Sequence, residues 1–321
     1  MAGLPLAPLA LLHPVAQIDW TRWTVHPSTV VGIAALAGLY WWAGKRDGGR
    51  GMGDELPRDP SLRSGQALPE QFIPRPASRI PSPGQRVAFF LGLTVLFLSL
   101  NGPLHDLSDS FLFSAHMVQH LLLALVVAPL LVGGTPGGML RPVLHADRRI
   151  EAVARALTKP VTCFVLFNLV VAVWHLPPVY GLAMRFHWVH IVQHLMFLAT
   201  AVLMWWPLLS PLPELPRLAY PGQMLYCFLM VIPMSIVSIY IAMADQVLYP
   251  AYASAPRIWG ISPLTDQHIG GLIMWVPGGL FFYGVMTVVF FKWAQRQEDG
   301  TAAAQVDWRP APGTAGRGWS G

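Results

Sequence analysis

Two short stretches carry the side chains best suited to chemistry. In FLFSAHMVQHLLLALVVAPLLV, residues 111–132, His116, Gln119 and His120 recur at helical spacing; in VHIVQHLMFLA, His190, Gln193 and His194 repeat that spacing. On a helix, residues three and four apart share a face, so each stretch shows one polar stripe in an apolar surface. Neutral imidazole binds Cu, Zn, Fe or Ni. A His pair at i and i+4 can hold one ion, as in zinc-binding HExxH helices, although the catalytic Glu is missing here. Two such helices face to face offer four nitrogens, with His175 and His187 adjacent to them. Met117 and Met243 add thioethers, which suit Cu(I). Gln119 and Gln193 are placed to fix imidazole tautomers by hydrogen bonding. Asp266, just before Gln267 and His268, has two readings: N-cap of the helix it opens, or, with His268, a polar lid over the metal.

These stripes need helices to carry them, and the composition says of what kind. The chain has 321 residues, 54% hydrophobic and 12% charged, with a mean hydropathy of +0.48, too apolar for a water-soluble domain. The fold class expected is all-α, a polytopic transmembrane bundle of seven spans. Net charge is +5, which in such a chain reports loop placement and not nucleic-acid binding. Cys163 and Cys227 form no CxxC, so neither a thiolate metal clamp nor a disulfide framework is implied. The apolar stretch 4–15 lacks a basic start and is broken by Pro5, Pro8 and Pro14, unlike a cleaved signal peptide.

The first span is expected at 25–43, after an outer segment 1–24, and closes on the interfacial aromatics Tyr40, Trp41 and Trp42. A Gly-, Pro- and Arg-rich linker, 44–85, cannot bury a core and reads as disordered. A six-span core, 86–293, follows. Its spans are placed at 86–100, 111–132 (with a bend at Pro129), 160–175, 187–206, 222–243 and 268–291. A polar tail, 294–321, ends the chain and also reads as disordered. Asp106, Asp109 and Asp245 read as solvated loop or cap residues.

Arg and Lys concentrate after spans one, three and five and after span seven. The positive-inside rule therefore puts the N-terminus outside and the C-terminus inside. In that topology His116, His120, His190 and His194 all lie in the outer halves of their helices. His175, His187 and His268 stand at the same level, whereas the cysteines fall near the inner ends of spans four and six. One outer histidine site shared by spans three, four, five and seven is the expectation.

Competing readings are a haem held by facing histidines and a scaffold whose histidines only bridge helices. Each His pair lies within one turn, so at most one haem layer fits. No P-loop, GxGxxG, GxSxG or HExxH is present, and the chain does not read as an enzyme. Breaks at Pro129, Pro233 and Pro277 lack the internal charge path of a transporter.

Three runs, FSAHMVQHLLLALVVAPLLVGGTP, WHLPPVYGLAMRFHWVHIVQHLMFLATAVLMWWPL and YPAYASAPRIWGISPLTDQHIGGLIMW, resemble the CtaG family over about residues 86–293. These are the multi-span assembly factors of caa-type cytochrome c oxidases. The resemblance implies a bacterial inner-membrane protein that matures a haem-copper oxidase, with motif positions at His116, Met117, His120, His175, His190, His194 and Asp266. The expectation is a non-enzymatic factor that holds copper on the outer face. His116, His120, His190 and His194 would be its ligands, and Met117, His175 and His187 its capture or exchange ligands. Its partners would be oxidase subunits, the bilayer and a copper donor protein.

Overall fold

The computed structural model describes residues 23–45 and 80–306; among them every regular element is helical. Helix α1 (Pro27–Lys45) precedes α2 (Pro83–Leu100). Ser82 and Gln85 start α2 with a reciprocal capping box, each side chain accepting from the other's backbone N–H, and Pro83 follows where no N–H is needed. A turn at Asn101 and Gly102 leads into α3 (Pro103–Ser110). Gly102 has φ +71°, and a Cβ there would sit 2.7 Å from the Trp23 ring. The glycine thus lets the segment before α1 dock on this turn, where His26 N donates to Asn101 Oδ1 at 2.8 Å.

The first histidine stretch folds as α4 (Phe113–Leu121), a π-helical turn (Leu122–Val127) and α5 (Ala128–Gly134). Pro129 is the cause of the wide turn: it has no N–H, and its ring would collide with the carbonyl four residues back. The Ala128 N–H accordingly reaches back to Leu123 O. Ala124 O is released and accepts from Trp205 Nε1 at 2.7 Å. A π turn stands where the sequence led us to expect a bend.

Helices α6 (Gly137–Leu144) and α7 (Arg148–Leu157) follow; no α7 residue is buried. Then come α8 (Pro160–Trp174), α9 (Pro177–Arg185), α10 (His187–Leu209), α11 (Tyr220–Ala242), the short α12 (Pro250–Ala253) and α13 (Pro263–Val306). Five helices are long and apolar enough to cross a membrane: Pro83–Leu100, Phe113–Gly134, His187–Leu209, Tyr220–Ala242 and Pro263–Glu298. A sixth appears if α7 and α8, bent by 70°, make one broken span.

The two remaining expected spans differ for local reasons. Helix α8 has 15 residues, short of the roughly 20 that cross a bilayer. Helix α1 has 19 but is diluted by Gly, Ser, Thr, Tyr and Trp. The last helix continues to Val306, past residue 294 where a disordered tail was expected. The expected outer segment and linker fall largely on residues 1–22 and 46–79, outside the described residues, as does the tail beyond 306.

The bundle shows its apolar side chains outward as well as inward. Val87, Leu195, Leu225, Ile236 and Leu280 are all exposed, the arrangement of a protein solvated by lipid. One end of the bundle carries the clustered histidines; the other carries Arg141, Arg148, Arg149, Arg155, Lys159, Arg217, Lys292 and Arg296, with His145 among them beside Glu151 and Glu214.

Helix α13 packs along α11 and against α4. Gly271 makes the first contact: a Cβ there would lie 2.7 Å from Ala242 N. Small residues of this kind let membrane helices approach closely. Gly271→Ala is therefore expected to lower the unfolding midpoint in detergent, at a cost of about 1–3 kcal/mol from overpacking. Gly284→Ala, on the same helix with nothing within 4 Å of its Cβ, should leave the midpoint unchanged or raise it.

Candidate metal centre

Two carboxylates organise the histidine end. The first is Asp266, which accepts from the backbone N–H of Phe113 at 2.6 Å and of Ser114 at 3.1 Å, and from the Ser114 hydroxyl. It caps α4, the helix bearing His116 and His120. Its own helix is started instead by Ser262, whose Oγ accepts from Thr265 N at 3.1 Å. The sequence offered Asp266 as an N-cap of α13 or as a lid. It is an N-cap, but of another helix, 153 residues away in sequence.

The second is Asp109, and here the structure corrects the sequence reading. Asp106 and Asp109 are buried on α3, not solvated. Asp109 Oδ2 lies 3.3 Å from His105 Nε2 and 3.6 Å from His190 Nδ1. A carboxylate at one ring nitrogen is the usual outer support of a metal-binding histidine, since it directs the other nitrogen's lone pair toward the ion. Gln119 does for His105 what was expected of it for a ligand: its amide donates to Ser99 O at 2.6 Å and lies 3.2 Å from His105 Nδ1.

Around these supports five imidazoles converge from two helices, α4 and α10, and from the end of a third, α8. His116 and His120 of α4 have ring centroids 4.3 Å apart. His190 lies 5.6 Å from His116 and His194 5.8 Å. His194 is 5.6 Å from His120, and His175, at the end of α8, is 5.7 Å from His120. His190 Nε2 and His194 Nε2 approach to 2.6 Å. One oxygen of Asp109 and one nitrogen each of His116 and His190 all lie within 4.8 Å of one another, close enough to share an ion.

The remaining sequence candidates fall elsewhere. Met117 turns into the apolar core, its Cγ 3.2 Å from where a Gly270 Cβ would be. Met243 is exposed. His268 Nε2 bonds Ala244 O at 2.9 Å. Gln193 is buried, yet its amide bonds no imidazole. His187 is exposed, 5.9 Å from His26, whose ring is 4.5 Å from His105. His105 is in turn 6.1 Å from His190. Thus a line of rings runs from the exposed His187 through His26 and His105 to His190 and the five-ring cluster. Beside it, between α1 and α10, is a cleft of about 230 Å³ with His26, His187 and Asp109 at one end and Ile33, Leu36 and Leu195 along its flank.

Tyrosines close the other side. Tyr180 lies 5.4 Å from His116, and its hydroxyl is 2.8 Å from that of Tyr252. Tyr249 OH donates to His175 O at 2.9 Å. Burial pushes the phenols of Tyr180, Tyr249 and Tyr252 above their ordinary range, so they stay neutral donors.

Six of the cluster's ten ring nitrogens are unmatched. Both nitrogens of His116 and of His120, Nε2 of His175 and Nδ1 of His194 are buried with no hydrogen-bond partner among the described residues. His175 Nδ1 meets Val171 O at 2.6 Å, which leaves Nε2 as the lone pair turned to the cluster. An unmatched buried polar group costs about 1–3 kcal/mol. Six of them would approach the whole stability of a typical domain, about 5–15 kcal/mol. A cluster of neutral nitrogen donors with one carboxylate at its edge fits a borderline or soft cation such as copper.

Comparison with known proteins gives the family of the chain. The sequence model of the Caa3_CtaG family, described as cytochrome c oxidase caa3 assembly factor, matches residues 73–296. Uncharacterised proteins of Mycobacterium bovis and Mycobacterium tuberculosis are each 27% identical over 239 residues, and one of Mycobacterium leprae is 25% identical. The match covers 70% of this chain and 36% of each relative, so the chain spans about a third of the length of these relatives. No solved structure gives a significant match.

The geometry assigns Asp266 a holding task that can be measured. Asp266→Ala should lower the unfolding midpoint by the loss of a helix cap, about 0.5–2 kcal/mol. Asp266→Asn, which keeps one acceptor oxygen, should fall between it and the unmodified protein. Equal losses in the two variants would point to the charge alone and not to capping.

Proposed function

This chain belongs to the cytochrome c oxidase caa3 assembly factors, and we propose that it serves assembly by holding copper in the histidine cluster and passing it to an oxidase subunit. The observation that carries this reading is the set of six unmatched imidazole nitrogens on packed helices. His116, His120, His190 and His194 are the ligands, and His175 is within reach for exchange. Asp109 orients His190, with its own oxygen close enough to join. Asp266 sets the position of His116 by fixing the start of α4, while Met117 and His268 lie outside the ligand set. The role is non-enzymatic: the protein binds and releases its cargo.

The reading includes a topology. Helix α1 and the bent pair α7–α8 complete seven spans. The N-terminus is outside and the C-terminus inside, with residues 44–85 and the tail in the cytoplasm of a bacterium and the bundle in its inner membrane. The concentration of Arg and Lys at one end supports this orientation. The cluster then opens to the outer face, where a copper donor protein could reach His187. From there the line of rings through His26 and His105 gives the ion a ladder of imidazole steps of about 4.5–6 Å, in which His105 exchanges its Asp109 contact for the ion. The adjoining cleft, about 230 Å³, is below the roughly 300–1,000 Å³ of pockets for drug-sized ligands, which favours an ion over a haem.

Protein purified from copper-replete cells should carry copper, and His116→Ala/His120→Ala and His190→Ala/His194→Ala should each lose it, while His268→Ala keeps it. Deletion of the gene should lower the copper content of the caa3-type oxidase. Iron with a Soret band would establish a haem protein instead, and absence of any metal would leave a scaffold with structural histidines. His187→Ala should slow copper loading without changing the final amount bound; an unchanged rate would remove the ladder.

A further inference from the structure

At the end opposite the histidines, α10, α11 and α13 part around a groove of about 920 Å³. Three cations line it: Arg217, from the connection between α10 and α11, and Lys292 and Arg296 on α13. Two other basic residues at this end are matched, Arg141 with Glu214 at 2.7 Å and Arg155 with Glu151. Among the described residues no ion pair engages Arg217, Lys292 or Arg296. Arg296 lies over the Tyr220 ring at 5.2 Å, which holds its guanidinium at the groove.

Below the cations the wall is apolar, with Phe281, Val285 and Val288 on α13 facing Leu208. Two polar groups at the apolar wall are already engaged: Trp205 Nε1 donates to Ala124 O, and Gln223 Nε2 donates to Leu218 O at 2.7 Å. From Lys292 to Phe281 the helix rises about 16 Å, roughly half the ~30 Å hydrocarbon core and so the depth of one leaflet. A soluble anion would engage the cations but leave the wall uncovered. A zwitterionic lipid would cover the wall but bring its own cation to the three already there.

We propose that this groove binds one anionic phospholipid, its phosphate on Arg217, Lys292 and Arg296 and an acyl chain along α13. The site is separate from the histidine cluster and independent of whether that cluster takes copper.

The full chain in detergent, supplied with phosphatidylglycerol or phosphatidylcholine, would be examined by native mass spectrometry. The expected result is a single retained phosphatidylglycerol that excess inorganic phosphate does not displace. Arg217→Gln/Lys292→Gln/Arg296→Gln should weaken retention at least about tenfold, the loss of one charge-assisted hydrogen bond or more. Gly284→Phe tests the wall with all three cations intact, because the Gly284 Cβ position is open and the groove lies beside it. It should also abolish retention at an unchanged unfolding midpoint. Equal retention of phosphatidylcholine, displacement by phosphate, or retention surviving in both variants would overturn the proposal.

Discussion

A polar atom inside an apolar bundle must find a partner, and that constraint governs the histidine end of this protein. Lipid offers no hydrogen bonds in place of water, so each buried ring nitrogen has to be met by protein or by something the protein binds. The periphery obeys this rule. His105 lies between Gln119 and Asp109, His175 Nδ1 meets a carbonyl, and Asp266 takes backbone donors of α4. The centre does not, since six imidazole nitrogens there have no partner among the described residues. Unmatched atoms also occur around it, at the Gln193 amide, Ser99 Oγ and Asp106 Oδ1, but they are densest on the clustered rings, the pattern expected of a receiving site.

The helix carrying the first histidine pair is held at both ends by groups distant in sequence. Asp266 secures its first turn from α13. At the far end the π turn before Pro129 frees Ala124 O for Trp205 of α10, the helix that bears the second pair. The same proline that widens the ladder therefore ties the two histidine helices together. Phe113, stacked on Tyr249 at 4.5 Å, and Tyr180 beside His116 complete the brace. Six unmatched nitrogens can be kept in place only if the surrounding packing fixes the rings without using their nitrogens; His120 stacked on Phe197 at 4.1 Å is an instance.

How much of this was legible in the chain follows from the range of each interaction. His116, His120, His190 and His194 could be read because i,i+4 spacing within a long apolar run is local information. His105 and Asp109 have that spacing too, but they lie in PLHDLSDS, eight residues rich in Ser and Asp, which read as a solvated loop. A short helix buried by its neighbours gives no apolar period of its own. The task of Asp266 was hidden for a different reason: a cap is normally sought within its own helix, and this one is supplied across the fold. Gln119 and Gln193 occupy equivalent places in their motifs, yet only Gln119 meets an imidazole, because α3 brings His105 to it, whereas the equally buried Gln193 amide faces no hydrogen-bond partner among the described residues. The long apolar spans were plain from composition, whereas α1 and α8 sit at the margin of length and apolarity where composition alone does not decide.

The two ends of the bundle also separate two kinds of chemistry. Cys163 and Cys227 are the chain's only thiols, and both are buried near the starts of α8 and α11, away from the histidines. A thiolate in the cluster would bind copper tightly, and under the proposed delivery role its absence favours release. Neutral imidazoles bind by lone pair alone, and rings 4.3–5.8 Å apart let one ligand be exchanged before the last is lost. The other end holds most of the cations, a distribution that would anchor a bundle against an anionic surface. Cations are fewer at the histidine end, where Arg257 donates to the Tyr252 and Ala253 carbonyls, so less like charge would face an ion in the proposed copper site.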